Sequence, residues 1–152
     1  MRFRLIDSTA YIPDHLAPAG HFAGPPPTAA VQAAVAFGWP LLIQTNTLQL
    51  GQALAVRAQD VVAVEAVEGT DAMIRRAGEL TRGRGFVLLK GSGPTKDPRF
   101  DVPTVGVQTL EHLAAAGATA AALEPGRVIL IDRPTVEAAA NRLKITLLGV
   151  AT

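Results

Sequence analysis

Strands that alternate with helices predict an α/β layer fold, a single domain whose sheet is mostly parallel or mixed and flanked by helices. Three observations carry the prediction. Phe86–Lys90 is apolar on both faces until Lys90, as a central parallel strand is. Val61, Val62, Val64 and Val67 give a β-branched run that stops at a turn and passes into a helical pattern through Met73, Ile74, Ala77 and Leu80. Val107, Leu110, Leu113 and Ala114 form one helical stripe ahead of a further apolar run. A length of 152 residues suits one domain with a real core. Hydrophobic residues make up 49% of the chain but aromatics only 5%, so that core must be built from Ala, Val, Leu and Ile.

In chain order, residues 1–27 form a first segment, a Pro-rich arm, and 28–152 the α/β domain. After a short strand at Phe3–Ile6, prolines recur at Pro13, Pro18 and Pro25 to Pro27, with Gly20 and Gly24 between them. Proline fixes φ and removes a donor, so the arm is expected to lie extended over another part of the molecule. Thr28 can cap a helix over Ala29–Phe37, closed by Gly38 ahead of Trp39 and Pro40. The pattern then loosens, with Gln44, Thr45, Asn46, Thr47, Gln49 and Gln52 set among aliphatics. Strands at Ala53–Arg57 and Val61–Val67, joined by Ala58, Gln59 and Asp60, read as a hairpin. Gly69 breaks the second strand, and Thr70 or Asp71 can cap the next helix.

A Gly/Pro loop from Gly91 to Gly106 follows the strand that ends at Lys90, and the Val107 helix ends at Gly117. Strands at Thr119–Leu123 and Arg127–Ile131 come next. Pro134, with Asp132 just ahead, begins a helix that runs to about Lys144, and Ile145–Val150 is the last strand.

Several classes of function are excluded or disfavoured. With 14 Lys+Arg against 13 Asp+Glu, nothing in the charge suggests nucleic acid as the main partner. The chain has no cysteine, hence no disulfide or thiol chemistry, which fits the cytoplasm. His15, His21 and His112 lack the spacing of a zinc site. No apolar run is long enough to span a membrane, and no signal peptide is read at the start. There is no phosphate-binding P-loop, no G-x-S-x-G elbow and no H-E-x-x-H. The basic cluster Arg75, Arg76, Arg82 and Arg84 reads as a solvated helix end, a phosphate or lipid-headgroup contact being the alternative.

Two loops carry the candidate chemistry. One is the turn Glu68-Gly69-Thr70-Asp71, where acidic residues end a strand and face a helix N-terminus, a place suited to a metal ion or phosphate. The plainer reading is that Asp71 caps the helix and Glu68 is solvated. The other is the 91–106 loop, which with Lys90 offers Lys96, Asp97, Arg99, Asp101 and Thr104. Both leave carboxyl ends of strands and are expected on one edge of the sheet. Carboxylates there can hold Mg²⁺ or Mn²⁺ or activate water, while Lys or Arg offsets phosphate charge. Asp97-Pro98 and Asp101-Val102-Pro103 are also ordinary turn sequences.

The run AVEAVEGTDAMIRRAGEL, followed by FVLLK, KDPRFDVPTVG and ALEPGRVILIDRPTVEAA, resembles the C-terminal domain of the LpxI-type UDP-2,3-diacylglucosamine pyrophosphatases. LAPAG and LGQALAV extend the resemblance to nearly the whole chain. It implies a role in lipid A synthesis of Gram-negative bacteria: metal-dependent hydrolysis of UDP-2,3-diacylglucosamine to UMP and 2,3-diacylglucosamine 1-phosphate, with water attacking the α-phosphorus. It implies a cytoplasmic protein peripheral to the inner membrane and a second, N-terminal-type domain, or a homo-oligomer, completing the enclosure of substrate. It also implies an essential aspartate, Asp101 or Asp97, with Glu68 and Asp71 toward metal and Gly69, Thr70, Lys90, Arg99 and Thr104 toward substrate. The family loop commonly reads Gln-Asp where this chain has Lys96-Asp97, and Asp-Val-Gly-Gln where it has Gln49-Leu50-Gly51-Gln52. The alternatives are a stand-alone nucleotide-sugar or lipid-binding module without hydrolysis, and a metal-dependent phosphohydrolase of another small substrate.

Overall fold

The computed structural model describes residues 3–94, 96, 97 and 99–151. Its centre is a mixed sheet of six strands: β1 (Gly20–Ala23), β8 (Thr146–Gly149), β6 (Ala120–Leu123), β4 (Val87–Lys90), β2 (Ala53–Arg57) and β3 (Asp60–Val64), in that spatial order. The strands β4, β6 and β8 are parallel, and β2, β3 and β1 are added antiparallel at the two sides. A second, two-stranded parallel sheet joins β5 (Thr104–Val105) to β7 (Ile129–Leu130).

Alternation along the strands divides the core between two faces. Leu88, Ala121, Leu123 and Leu147 face one way and pack with residues of α2 (Thr70–Thr81), α3 (Val107–Ala115) and α4 (Arg133–Leu143). Val87, Leu89, Ala120 and Ala122 face the other way and pack against α1 (Ala29–Thr47). Both crossovers between parallel strands, β4 to β6 and β6 to β8, step in the same direction across the sheet. Crossovers of one hand therefore put α3 and α4 on the same face. All four residues of β6 are buried, three of them alanines, as a strand covered on both sides requires.

Several elements depart from the expectations. The helix expected to close at Gly38 runs on through Pro40 to Thr47. An interior proline costs about 3 kcal/mol, but the added turns bury Trp39 and Leu42 against the sheet, worth roughly 1.5–3 kcal/mol each. Gly38 serves packing: a Cβ there would lie 2.5 Å from Leu89 Cδ1 and 2.8 Å from Val56 Cγ1. The second departure is the cap of α2, which is Gly69 at φ +83° with no side-chain bond, rather than Thr70 or Asp71. The third concerns the first segment. No strand forms over Phe3–Ile6, whereas Gly20–Ala23 pairs with β8 as an edge strand. In addition, Thr104–Val105, expected in a loop, pairs with Ile129–Leu130.

Candidate functional site

The carboxyl ends of β4 and β6, the end of α1 and the segment entering α2 meet at one edge of the sheet. Lys90 ends β4 with its side chain turned inward, only 6% exposed. Its Nζ donates to Thr70 Oγ1 at 2.9 Å, and Thr70 Oγ1 donates to Glu65 Oε1 at 3.0 Å. The other oxygen of Glu65 accepts from the Gln52 backbone N–H at 3.2 Å. The Gln52 side-chain amide donates to Asp101 Oδ2, which also accepts from Lys96 Nζ at 2.6 Å. One hydrogen-bonded chain thus runs from buried Lys90 through Thr70, Glu65 and Gln52 to the half-exposed Asp101. It ties together three segments that are distant in sequence.

The electrostatics follow from that placement. Burial lowers the Lys90 pKa, opposed by the negative charges of Glu65, Asp71 and Asp101. Lys90 therefore senses carboxylates from both predicted loops. Asp97 is differently occupied: Arg99 grips it through Nε at 2.9 Å and Nη2 at 2.5 Å, and its own loop adds the Arg99 backbone N–H at 3.0 Å. These bonds hold the Asp97 carboxyl down to about 2. The Arg99 guanidinium lies 5.9 Å from the centre of the Phe100 ring.

The remaining predicted residues are placed as follows. Glu68 pairs with Arg76 at 2.5 Å and accepts from the Ala66 N–H at 3.0 Å, so its pKa is lowered, by backbone hydrogen bonding and then by Arg76. Asp71 stands at the start of α2 with Oδ1 3.2 Å from His112 Nδ1, a contact not aligned as a hydrogen bond. Gly69 supplies the turn into α2 and leaves the first N–H groups of the helix without a side-chain cap. Thr104 begins β5 and is exposed. Lys90, Thr70 and Asp101 are thus joined in one network, Asp71 neighbours it, and Glu68, Asp97 and Arg99 are committed to local ion pairs.

Five contributors escaped sequence reading. Glu65, buried and central to the chain of bonds, looked like one more residue of a strand. Glu124, just past β6, accepts the N–H groups of Ser92 and Gly93 at 2.8 and 3.0 Å and so shapes the glycine-rich turn after Lys90. Asn46 donates to the Gly91 carbonyl at 3.2 Å from within α1. Asp7 and Thr9, from the first segment, line a cavity of about 190 Å³ together with Ser92, Asp101 and Arg127. Glu124 sits in a Glu-Pro-Gly turn, and that was the one signal available.

No group of three or more His, Asp or Glu side chains is poised to hold a metal among the described residues. As a complete protein cage for an ion, the residues do not fit. Mg²⁺, however, is commonly held by one or two carboxylates together with substrate phosphates. Asp71 and Asp101, with side chains 51% and 53% exposed, are the carboxylates of that kind beside Lys90.

The family model for the LpxI C-terminal domain matches residues 18–148. This chain belongs to the LpxI C-terminal domain family. Its sequence is 42% identical over 114 residues to the UDP-2,3-diacylglucosamine pyrophosphatase LpxI of Caulobacter vibrioides, an alignment covering 70% of this chain and 41% of the relative. The chain therefore spans about two fifths of that curated relative's length. The matched span of the LpxI C-terminal domain includes every member of the hydrogen-bonded chain from Lys90 to Asp101. Among the described residues, no helix is long and apolar enough to cross a membrane.

Proposed function

We propose that this domain supplies the phosphate-handling half of a pyrophosphatase acting on UDP-2,3-diacylglucosamine or a related nucleotide-lipid in lipid A synthesis. Kinship with the LpxI C-terminal domain supports the substrate class. The single observation that carries the chemistry is the bonded chain from Lys90 to Asp101 at the carboxyl edge of the sheet. The uncapped start of α2 at Gly69 and Thr70 offers backbone N–H groups to an anionic phosphate. Lys90 stands behind Thr70 and lends positive charge from below, sheltered from solvent screening.

Asp101 is the carboxylate we assign to the reaction. Its Oδ1 takes no hydrogen bond from any described residue, while Gln52 and Lys96 fix Oδ2. In that position it orients or deprotonates the water that attacks the α-phosphorus, releasing UMP. Asp97, sealed by Arg99, instead shapes the loop. A divalent ion, Mg²⁺ or Mn²⁺, would be held by Asp71, Asp101 and the substrate's own phosphates, and when bound would offset charge on the phosphate oxygens. The protein would work in the cytoplasm, peripheral to the inner membrane.

A second reading, binding without turnover, is favoured by one observation. Lys96 already places a cation on Asp101 at 2.6 Å. The test is release of UMP from UDP-2,3-diacylglucosamine with Mg²⁺ or Mn²⁺, beside equilibrium binding of the same compound. Metal-dependent UMP release that stops in EDTA is expected. Binding without release selects the second reading, and neither binding nor release overturns both.

A further inference from the structure

At the amino edge of the sheet, opposite the candidate site, lies a larger cleft of about 660 Å³. It opens between the start of α1, the β2–β3 hairpin and the beginnings of β4, β6 and β8. Its size falls within the range of small-molecule sites. Pro25, Pro26, Ala30, Val31 and Ala33 make an aliphatic wall, and Phe86, at 1% exposed, lies too deep to stack on a ligand ring. The wall is fixed in place, because the Pro25 carbonyl accepts from Thr146 Oγ1 at 2.9 Å and the Gly24 N–H donates to Asn141 Oδ1 at 3.0 Å. Of the cleft's hydroxyls, those of Thr146 and Thr119 donate to the Pro25 and Phe86 carbonyls, and the Thr28 oxygen accepts from the Val31 N–H.

Charge distinguishes this cleft from a plain apolar depression. Arg57, Arg84 and Lys144 line it, and no carboxylate does. Among the described residues, none of these three cations makes an ion pair or a side-chain hydrogen bond, although Asp60 is the cross-strand neighbour of Arg57. Arg84 and Lys144 follow helix C-termini, where cations are favoured. That accounts neither for Arg57 nor for the convergence of all three on one apolar cleft. Of the basic cluster in the sequence, Arg76 is occupied by Glu68, Arg75 lines a different depression and Arg82 is the C-cap of α2, while Arg84 lines this cleft.

We propose that this cleft binds a single-chain anionic amphiphile, its aliphatic tail along the Pro25–Ala33 wall and its carboxylate or phosphate head between Arg57, Arg84 and Lys144. The absence of an accessible aromatic disfavours a nucleotide, and the aliphatic wall disfavours a bare anion. The assignment stands apart from the proposed hydrolysis, since it uses the other edge of the sheet.

Isothermal titration with dodecanoate and with dodecyl phosphate, each below its micelle-forming concentration, tests it. Saturable binding at one site with a negative heat-capacity change is expected. The double substitution Arg57→Gln/Arg84→Gln should weaken binding by about tenfold or more, because charge-assisted hydrogen bonds are lost. Ala33→Trp, at an exposed helix position, should abolish binding by filling the cleft, while Asp101→Asn should leave it unchanged. Equal affinity for dodecyltrimethylammonium, equal affinity for inorganic phosphate, binding seen only with phosphatidylglycerol vesicles, or undiminished binding in both cleft variants would each overturn the proposal.

Discussion

Asp97 and Asp101 belong to the same short loop, yet their surroundings differ. Arg99 holds Asp97 ionised down to about 2, whereas Asp101, which lines a cavity with Ser92 and Arg127, has one oxygen without a hydrogen bond from any described residue. Asp101→Asn is therefore expected to reduce UMP release on the order of a hundredfold or more, and Asp97→Asn by far less. Equal losses in steady-state assays would refute the distinction. Carboxyl NMR should find Asp97 titrating near 2 and, in Arg99→Gln, returning toward the ordinary 3.8. Because the folded value is depressed, any stability Asp97 contributes is present above pH 3.8 and disappears as pH falls through about 2. Lys90 has the same sign in a different, alkaline window. Burial lowers its pKa below the unfolded 10.5, so across the window between those values the unfolded chain binds more protons and stability rises with pH. That rise should be missing from Lys90→Met in melting curves taken at successive alkaline pH values. A wild-type-minus-variant difference that stays flat up to pH 10.5 would count against it.

Single elements show where local propensity yields to packing. In α1, Gly38→Ala would gain about 1 kcal/mol of helix propensity. The new methyl, however, would meet Leu89 and Val56 inside van der Waals distance, and overpacking of that kind costs about 1–3 kcal/mol. A net loss of stability in urea unfolding is expected, and a gain would show that the sheet face yields more readily than its burial suggests. At the entry to α2, Thr70→Val removes the hydroxyl between Lys90 and Glu65. Stranding those buried charged groups should cost about 1–3 kcal/mol, and Thr70→Ser should restore most of it. The two substitutions behaving alike would mean that methyl packing, rather than the hydroxyl, holds this turn.

For the molecule as a whole, the carboxyl edge is one place where apolar side chains meet solvent. Leu48 and Phe100 are each 70% exposed and Leu50 is 50% exposed, while Gln49, between the two leucines, lines a cavity with Phe100 and Asp101. Exposed apolar patches beside a site often mark an interface. The protein is expected to self-associate or to bind an N-terminal-type domain through this edge. Sedimentation velocity should show that Leu50→Lys combined with Phe100→Lys lowers the association. The melting temperature should hardly change, since surface substitutions usually fall within about 0.5 kcal/mol. A chain that stays monomeric at all concentrations and binds no such domain would remove the interface from the proposal.

The residues themselves determined the layer fold, because burial on two faces leaves a legible mark. The unbroken apolar run before Lys90, the β-branched run from Val61 to Val67 and the helical stripe through Leu110 and Leu113 each favour one kind of element. The loops bearing Thr70 and Asp101 were legible too, since turns that hold charged residues beside glycine stand out from such runs. Tertiary structure decided the rest. It carried α1 past Gly38 and Pro40, because sheet contacts outweighed a local break that the sequence states plainly. It drew Gly20–Ala23 from a proline-rich segment into the sheet as an edge strand. It also put Glu65, Gln52 and Glu124 into the site, although nothing in the local pattern gives them a role there. Gln52 reaches Asp101 across 49 residues and Glu124 reaches Ser92 across 32, and a hydrogen bond over such a separation leaves no periodicity to read.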